Sequence, residues 1–258
     1  MNLQIDNQLF IVGGATSGFG KAILEQLVAE GARVIAIARS EDQLRVMQNL
    51  APDQIEWIAG DITSEQVHEK ITALLGDRIL HGIVVNAGGP PAKTVIETTA
   101  SDWDNAYQTL LRWKVLLIQR LLPFFVNNKY GRCVFIESAT VKQPLENLVL
   151  SNSLRAAVVG MVKTLSQEIA ASGVTLNIMA PGSHNTPAIN RIYTKKSEQT
   201  GLPFEEVKAT AIQQIPVKFL GEASDFASLA VWLLSPHSRF ITGQTISVDG
   251  GAVKGIMG

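Results

Sequence analysis

Three glycines near the start of the chain have a spacing that suits phosphate binding. Gly14, Gly18 and Gly20 form the pattern GxxxGxG, which follows an apolar run and opens an amphipathic helical segment. Glycine lets the backbone turn tightly and approach a ligand, and the free amides and positive dipole of a helix start stabilise a pyrophosphate. The alternative is an ordinary glycine-rich connection. Because the pattern falls in the first predicted strand–turn–helix unit, we interpret it as a nucleotide-binding loop.

Arg39, at the end of the second predicted strand, indicates the type of nucleotide. It lies 19 positions beyond Gly20, where an acidic side chain would bind an adenosine ribose 2′-hydroxyl. An arginine there can instead pair with a 2′-phosphate, so we expect NADP(H) to be preferred, with NAD(H) as the alternative. Glu41 and Asp42 stand close enough in sequence to compete for Arg39 or for a ribose hydroxyl, and Arg39 could also be a solvated charge.

The elements that must position these residues follow a regular alternation. Short apolar runs recur at 9–13, 33–38, 55–59, 82–86, 132–137 and 174–180. Strands that are apolar on both faces belong to a parallel sheet covered by helices on each side. Capping-type spacing predicts helix starts at three pairs, namely Ser40 with Gln43, Thr63 with Gln66, and Ser101 with Asp104. We therefore predict an α/β, doubly wound, Rossmann-type fold in a single domain over 1–258.

The segment 187–215 interrupts this alternation, between the sixth strand and a helix predicted near 224–235. We interpret it as a lid over a substrate pocket. Arg191, Lys195 and Lys196 make this lid locally basic, which permits an acidic or phosphopantetheine-bearing substrate.

Composition limits the classes of function. The chain of 258 residues is 46% hydrophobic and 17% charged, and its net charge of -1 offers no field for nucleic acid or an anionic membrane. Cys133 is the only cysteine, and the four histidines lie too far apart for zinc spacing. The apolar run 115–126 contains Gln119, Arg120 and Pro123, and the first residues lack the features of an export sequence. We expect a soluble, cytoplasmic protein without metal.

Several motifs together resemble the short-chain dehydrogenase/reductase family over essentially the whole chain. Residues 13–20 are similar to its TGxxxGxG with Gly in place of Thr, and Asn86-Ala87-Gly88 matches its motif after the fourth strand. Asp61, Pro181-Gly182 with Thr186, and VDGG at 248–251 resemble further family segments. The resemblance implies a mainly parallel seven-stranded sheet and a cofactor site formed by Gly14, Thr16, Ser17, Gly18, Phe19, Gly20, Arg39, Asp61, Ile62, Asn86, Ala87, Gly88, Arg155, Pro181, Gly182 and Thr186.

The catalytic positions depart from the family pattern of Asn, Ser, Tyr and Lys. Ser138, in FIES, matches the serine that orients the substrate oxygen, although it could also cap a turn. Alignment of RAAVVG with the usual KAALxG assigns Ser151 to the tyrosine position and Arg155 to the lysine position. Leu110 stands where the family has asparagine. The resemblance therefore implies a divergent member that lacks the usual catalytic Tyr and Lys.

Carbonyl reduction needs a proton for the developing alkoxide, and these substitutions leave its donor open. Serine is far less acidic than a phenol, and arginine hardly donates a proton at neutral pH, although Arg155 could still bind the nicotinamide ribose. Lys142, four residues after Ser138, could donate the proton, bind a substrate carboxylate, or be a solvated loop lysine. Tyr193 and His184 are further candidates, and each could equally be a packing residue.

The helical segment 103–126 is apolar on more than the stripe that a sheet can cover. The helix near Leu154 carries the small residues Ala156, Ala157 and Gly160, and family members pair these two helices between subunits. We expect a homodimer or homotetramer, the alternative being a large monomer core.

We predict an NADP(H)-dependent oxidoreductase acting on a small carbonyl or 3-oxoacyl-type compound, with catalytic candidates Ser138, Ser151, Arg155 and Lys142. Two alternatives remain open. One is a nucleotide-binding protein without redox turnover, and the other is a dehydratase, isomerase or cyclase on the same scaffold. Ser138 lacks a GxSxG elbow, so a serine hydrolase is disfavoured.

Overall fold

The computed structural model describes residues 1–256, which form a seven-stranded sheet of order β3-β2-β1-β4-β5-β6-β7. Every pairing in the sheet is parallel. The strands are β1 (Leu9–Gly13), β2 (Arg33–Ala38), β3 (Ile55–Ala59), β4 (Gly82–Val85), β5 (Gly131–Ile136), β6 (Val174–Pro181) and β7 (Thr245–Val248). The predicted doubly wound parallel sheet is confirmed, and the six predicted strands agree to within a residue at each end.

Helices cover both faces of this sheet. They are α1 (Gly18–Ala29), α2 (Glu41–Leu50), α3 (Glu65–Leu75), α4 (Ala100–Ala106), α5 (Trp113–Asn127), α6 (Val149–Ile169), α7 (Pro187–Thr200), α8 (Phe204–Gln214) and α9 (Ala223–Leu234). A π-helical segment, Tyr107–Arg112, joins α4 to α5. The segment predicted as a lid, 187–215, therefore consists largely of α7 and α8.

The strands are apolar on both faces because each face has its own core. In β1, Phe10 packs in the cluster that includes Phe226 of α9, whereas the next residue, Ile11, packs on the opposite face with Trp113 and Phe135. Successive strand side chains point to opposite faces, so a strand buried on both sides needs an uninterrupted apolar run. This explains why the strands could be predicted from the sequence.

Two of the predicted helix starts are wrong by one or two residues. Helix α2 begins after Ser40, whose hydroxyl accepts a hydrogen bond from the Gln43 amide, as predicted. Helix α3 begins after Ser64, which occupies the N-cap position without a side-chain capping bond within residues 1–256, and the Thr63 hydroxyl donates to Asp61. Helix α4 is capped by Thr99, which forms a reciprocal capping box with Asp102, so the predicted pair of Ser101 and Asp104 is not the cap.

The two chain ends are tied to opposite edges of the sheet. At the edge formed by the amino ends of the strands, His237 Nε2 is hydrogen-bonded to the Asn2 carbonyl oxygen at 2.9 Å. At the carboxyl edge, the Lys254 amide donates to Gln143 Oε1 at 3.0 Å, in the loop that follows β5. Within residues 1–256, no helix is long and apolar enough to cross a membrane.

Cys133 lies in the middle of β5 and is 1% exposed. Burial raises the pKa of its thiol to about 12, so the reactive thiolate is scarce at pH 8. We expect a disulfide-exchange thiol reagent to leave the native protein unlabelled and to label one thiol per chain in denaturant. Rapid labelling of the native protein would contradict the burial of this strand.

Candidate active site

A cavity of about 590 Å³ opens at the carboxyl edge of the sheet, in the region of β1 to β4. This is the edge at which open parallel sheets bind ligands. Residues predicted to bind a cofactor contribute a continuous part of its lining, namely Gly14, Thr16, Ser17, Gly18, Phe19, Arg39, Asp61, Ile62, Asn86, Ala87, Gly88 and Thr186. The structure thus brings together residues that are up to 172 positions apart in sequence (14 to 186).

The glycine turn between β1 and α1 has the geometry expected for phosphate binding. Gly18 has a φ of 52°, in the left-handed region that favours glycine. A Cβ on Gly20 would overlap the carbonyl oxygen of Gly14, so this position requires glycine for close packing of the turn. No side chain caps the start of α1 at Ser17, so the first amides of this helix remain available to an anion.

Arg39 is exposed at the end of β2 and lines the cavity. One of its predicted competitors is engaged elsewhere, because Glu41 forms an ion pair with Arg45 at 2.6 Å on the surface of α2. Asp61 also lines the cavity, where one of its oxygens accepts hydrogen bonds from the Thr63 amide and hydroxyl. The cavity therefore has an exposed guanidinium group at the end of β2.

Asn86 follows β4 and connects the two central strands across the cavity floor. Its side-chain amide donates to the carbonyl oxygen of Gly13 at 3.2 Å. Thr186 is the N-cap residue of α7 and also lines the cavity, where its side chain lies 3.8 Å from the position of a Cβ on Gly18. Pro181 and Gly182 lie outside the lining, since the Gly182 amide donates to Val248 and a Cβ there would contact Asp249.

A buried cluster of charges joins α5, β5 and α6. The Glu137 carboxylate follows β5 and forms ion pairs with Lys114 Nζ at 2.5 Å and with Arg155 Nη1 at 2.9 Å. Arg155 Nε also donates to Ser151 Oγ at 3.1 Å. Ser151 and Arg155 were predicted from the sequence as site residues, whereas Lys114 and Glu137 were not. The acid in FIES and a lysine within the largely apolar run WKVLLI were the indications in the sequence.

Burial of this cluster changes the acidity of Lys114. Desolvation lowers its pKa below the ordinary lysine value, and the positive charge of Arg155 adds to that effect, while Glu137 opposes it. A buried ion pair must offset the cost of removing both charges from water. Perturbed pKa values cluster at functional sites, so this cluster is a candidate part of one.

Ser138 and Lys142 lie on the loop after β5. The Ser138 hydroxyl accepts a hydrogen bond from the Thr140 amide at 3.2 Å and thereby caps the short helix Ala139–Val141. Lys142 ends that helix and is half-buried. Neither residue is part of the cavity lining described above, and Leu110 is buried within the π-helical segment. The catalytic roles of Ser138 and Lys142 remain predictions.

The other two predicted proton donors occupy packed positions. His184 is buried, with its ring against Phe19 at 5.0 Å and Phe226 at 5.7 Å between centroids. Tyr193 is buried against Phe204, and this burial raises the pKa of its phenol, which makes it a weaker acid. Both side chains are packed against aromatic rings, which is the alternative given for them from the sequence.

Asp102 at the cavity rim is also unsuited to donate a proton. Hydrogen bonds from Lys93 and from Thr99 lower the pKa of its carboxyl to about 2. The group is therefore ionised at neutral pH, and Lys93 Nζ neutralises it at 2.9 Å. Its role is to cap α4 and to connect the rim with the loop after β4.

The parallel sheet and the glycine turn at its carboxyl edge define a Rossmann-type nucleotide-binding domain. A family model described as enoyl-(acyl carrier protein) reductase matches residues 14–253, and curated relatives match along nearly the whole chain. The chain belongs to the short-chain dehydrogenase/reductase family, which confirms the resemblance stated from the sequence.

Curated relatives include 3-oxoacyl-[acyl-carrier-protein] reductases. The protein of Haemophilus influenzae is 29% identical over 251 residues, and that of Escherichia coli (strain K12) is 26% identical over 253; each match covers 96% of this chain and 98% of the relative. Among solved structures, L-sorbose reductase from Gluconobacter frateurii, complexed with NADPH and L-sorbose, is 23% identical with a TM-score of 0.92, covering 99% of this chain and 100% of that one. Actinorhodin polyketide ketoreductase with NADPH is 26% identical with a TM-score of 0.90, covering 96% and 98%.

Proposed function

We propose that the protein is an NADP(H)-dependent oxidoreductase that acts on a small carbonyl or 3-oxoacyl-type substrate through an atypical catalytic site. The observation that carries this proposal is the single cavity in which the glycine turn, Arg39, Asp61 and Thr186 meet. The names of the relatives, which are 3-oxoacyl reductases and NADPH-complexed ketone reductases, support the same reaction class.

The residues present fit the two ends of NADP(H). The α1 amides and Ser17 would bind the pyrophosphate, Arg39 the 2′-phosphate, and Asp61 with Ile62 the adenine region. Asn86, Ala87, Gly88 and Thr186 would border the nicotinamide half, supported from behind by Gly182. When bound, the reduced nicotinamide supplies a hydride to the substrate carbon.

In this proposal the protein stabilises the negative charge that develops on the substrate oxygen. Because Ser151 Oγ accepts a hydrogen bond from Arg155 Nε, its own hydrogen remains available for donation. The guanidinium polarises this hydroxyl and makes it a stronger donor. Ser138, whose Oγ accepts from the Thr140 amide, retains a donor in the same way. Two hydroxyl donors would orient the substrate, and Lys142 is the candidate proton donor or carboxylate ligand.

One observation favours the alternative of a nucleotide-binding protein without redox turnover. The chain contains three tyrosines, and none of them is among the described residues that line the cavity. Tyr107 is exposed, Tyr130 precedes β5 and thus lies at the opposite edge of the sheet, and Tyr193 is buried in the cluster of α7 and α8. This alternative differs from the leading proposal only in turnover.

The decisive experiment measures NADPH binding and NADPH consumption on the same sample. We expect NADPH to bind and to be consumed with at least one member of a panel of small ketones and 3-oxoacyl thioesters. Binding without consumption across the panel would favour the nonredox alternative. An absence of binding would contradict both.

Lys142 offers a test of the substrate end. Lys142→Met keeps much of the side-chain stem and removes the charge, so we expect turnover to fall by about 10²-fold if it donates the proton, with NADPH affinity intact. If it binds a carboxylate, the change should appear mainly in KM. Lys70→Met, on the exposed face of α3, is the matched control. Unchanged kinetics in Lys142→Met would remove this residue from the site.

The remaining proposals concern assembly, the lid and location. Helix α6 carries an exposed face of small residues, Ala156, Ala157 and Gly160. This face supports a homodimer or homotetramer that pairs α5 and α6 between subunits.

The start of α7 lines the cavity with Pro187, Ala188 and Arg191. This placement supports a lid at 187–215 and an acidic or acyl-carrier substrate. We also propose a cytoplasmic location.

A further inference from the structure

The Glu137 carboxylate is a buried charge that neither cofactor binding nor the proposed reaction uses directly. It is 4% exposed, and each of its oxygens accepts from a cation on a different helix, Oε1 from Lys114 of α5 and Oε2 from Arg155 of α6. A single carboxylate that joins two helices at the end of a central strand is costly to bury unless both oxygens are satisfied. The geometry satisfies both of them.

The orientation of Arg155 depends on this carboxylate. Its Nη1 donates to Glu137 and its Nε donates to Ser151 Oγ, which fixes two corners of the planar guanidinium. The third corner, Nη2, lies 3.3 Å from where a Cβ on Gly89 would stand. Gly89 lines the cavity, immediately after Asn86-Ala87-Gly88. Nη2 makes none of the hydrogen bonds found for this side chain within residues 1–256, and it lies beside Gly89 of the cavity lining, although Arg155 itself is outside that lining.

We propose that Glu137 is a positioning residue: it orients Arg155 so that Nη2 faces the nicotinamide end of the cavity and Nε polarises Ser151, while Lys114 is the counter-ion that occupies its other oxygen. This inference rests on the proposed function, because it assigns the oriented guanidinium to a bound nucleotide and substrate. Arginine suits the role because its planar fork donates in several fixed directions at once, which a lysine cannot do.

The charge balance of the cluster explains why both partners are needed. Two cations and one anion leave an excess positive charge, and the ionisable groups that face Glu137 are Lys114 and Arg155. Without Lys114, the carboxylate could rotate to place both oxygens on Arg155 in a bidentate pair, which would turn the guanidinium away from Ser151. Without Glu137, two cations would be buried side by side.

The test compares Glu137→Gln, Glu137→Gln combined with Lys114→Met, and Glu56→Gln. The double variant removes the second buried cation, so it remains informative if the single variant fails to fold. Glu56→Gln is the matched control. Glu56 lies on β3, where it pairs with Arg78 and Arg33, and it does not line the cavity.

The first readout is the Nε–H signal of Arg155 in a nitrogen–proton NMR spectrum recorded without nucleotide. This signal is identified by its loss in Arg155→Lys. The second is NADPH affinity.

We expect the Arg155 Nε–H signal to shift and to exchange faster with water in the folded Glu137 variants, and to stay unchanged in Glu56→Gln. NADPH affinity should fall by about tenfold, the loss expected for one charge-assisted hydrogen bond. An unchanged signal in the double variant would overturn the proposal, as would parental NADPH affinity in that variant. If the parent protein binds no NADPH, the proposed function fails, and the NMR readout alone still decides whether Glu137 orients Arg155.

Discussion

Exchanging Ser151 for tyrosine together with Arg155 for lysine should lower turnover by about 10²-fold, although these are the residues that the family uses at both positions. A lysine ammonium lacks the planar fork of arginine, so it cannot bond Glu137 and residue 151 simultaneously in the observed geometry. The tyrosine ring would also enter a half-buried position that now accommodates a serine. The measurement is kcat on a substrate that the parent protein reduces.

The two single variants, Ser151→Tyr and Arg155→Lys, separate the contributions to this loss. Arg120→Lys, on the surface of α5 where Arg120 pairs with Glu69 at 3.6 Å, is the matched control and should change nothing. A rise in turnover by about 10²–10⁴-fold would instead identify a weakened reductase of the usual kind. A double variant equal to the parent would show that neither position takes part in the reaction.

Replacing Arg39 with alanine should erase a preference for NADPH over NADH of about 1.5–3 kcal/mol, which corresponds to roughly 10–150-fold in affinity. The reason is the exposed guanidinium at the end of β2, for which Glu41 does not compete because it pairs with Arg45. The measurement is the ratio of the NADH and NADPH dissociation constants at one salt concentration, since ion pairs are screened by salt.

Arg45→Ala is the control for this experiment, because Arg45 lies nearby on α2 but outside the cavity lining. The Arg45→Ala change also removes the ion-pair partner of Glu41. A lower NADPH preference in this variant would show that the released Glu41 carboxylate competes for Arg39. Equal affinities for the two nucleotides in the parent protein would refute the assignment of Arg39. In that case Asp42 becomes the residue to test as a ribose ligand.

The sequence predicted the sheet better than the helix starts, for a physical reason. A parallel strand buried on both faces requires an uninterrupted apolar run, and few other elements produce one. Helix starts are harder to predict, because several neighbouring residues can occupy the N-cap position. Helix α3 begins after Ser64 without a side-chain cap within residues 1–256, while the Thr63 hydroxyl bonds Asp61. Helix α4 begins after Thr99, which forms the reciprocal pair with Asp102.

The cavity could be predicted from motifs because each motif follows a strand and its chemistry is local. The charge cluster could not be predicted, because Lys114 and Glu137 are brought together only by the packing of α5 against β5. In a linear sequence, a lysine within an apolar helix is indistinguishable from one whose charged end reaches the surface. The catalytic roles of Lys142, Ser151 and Arg155 stay predictions that the variants above test, and the role of Ser138 stays a prediction.

The different attachment of the two chain ends has a practical consequence for expressing the protein. Asn2 is anchored near His237 at the edge of the sheet opposite the cavity, whereas Lys254 lies against Gln143, a few residues beyond Ser138. A purification tag fused before Met1 would extend from the side of the molecule opposite the cavity. A tag joined beyond Lys254 would start near the loop that carries Ser138 and Lys142, where it could obstruct substrate. Assays of turnover should therefore use an amino-terminal fusion.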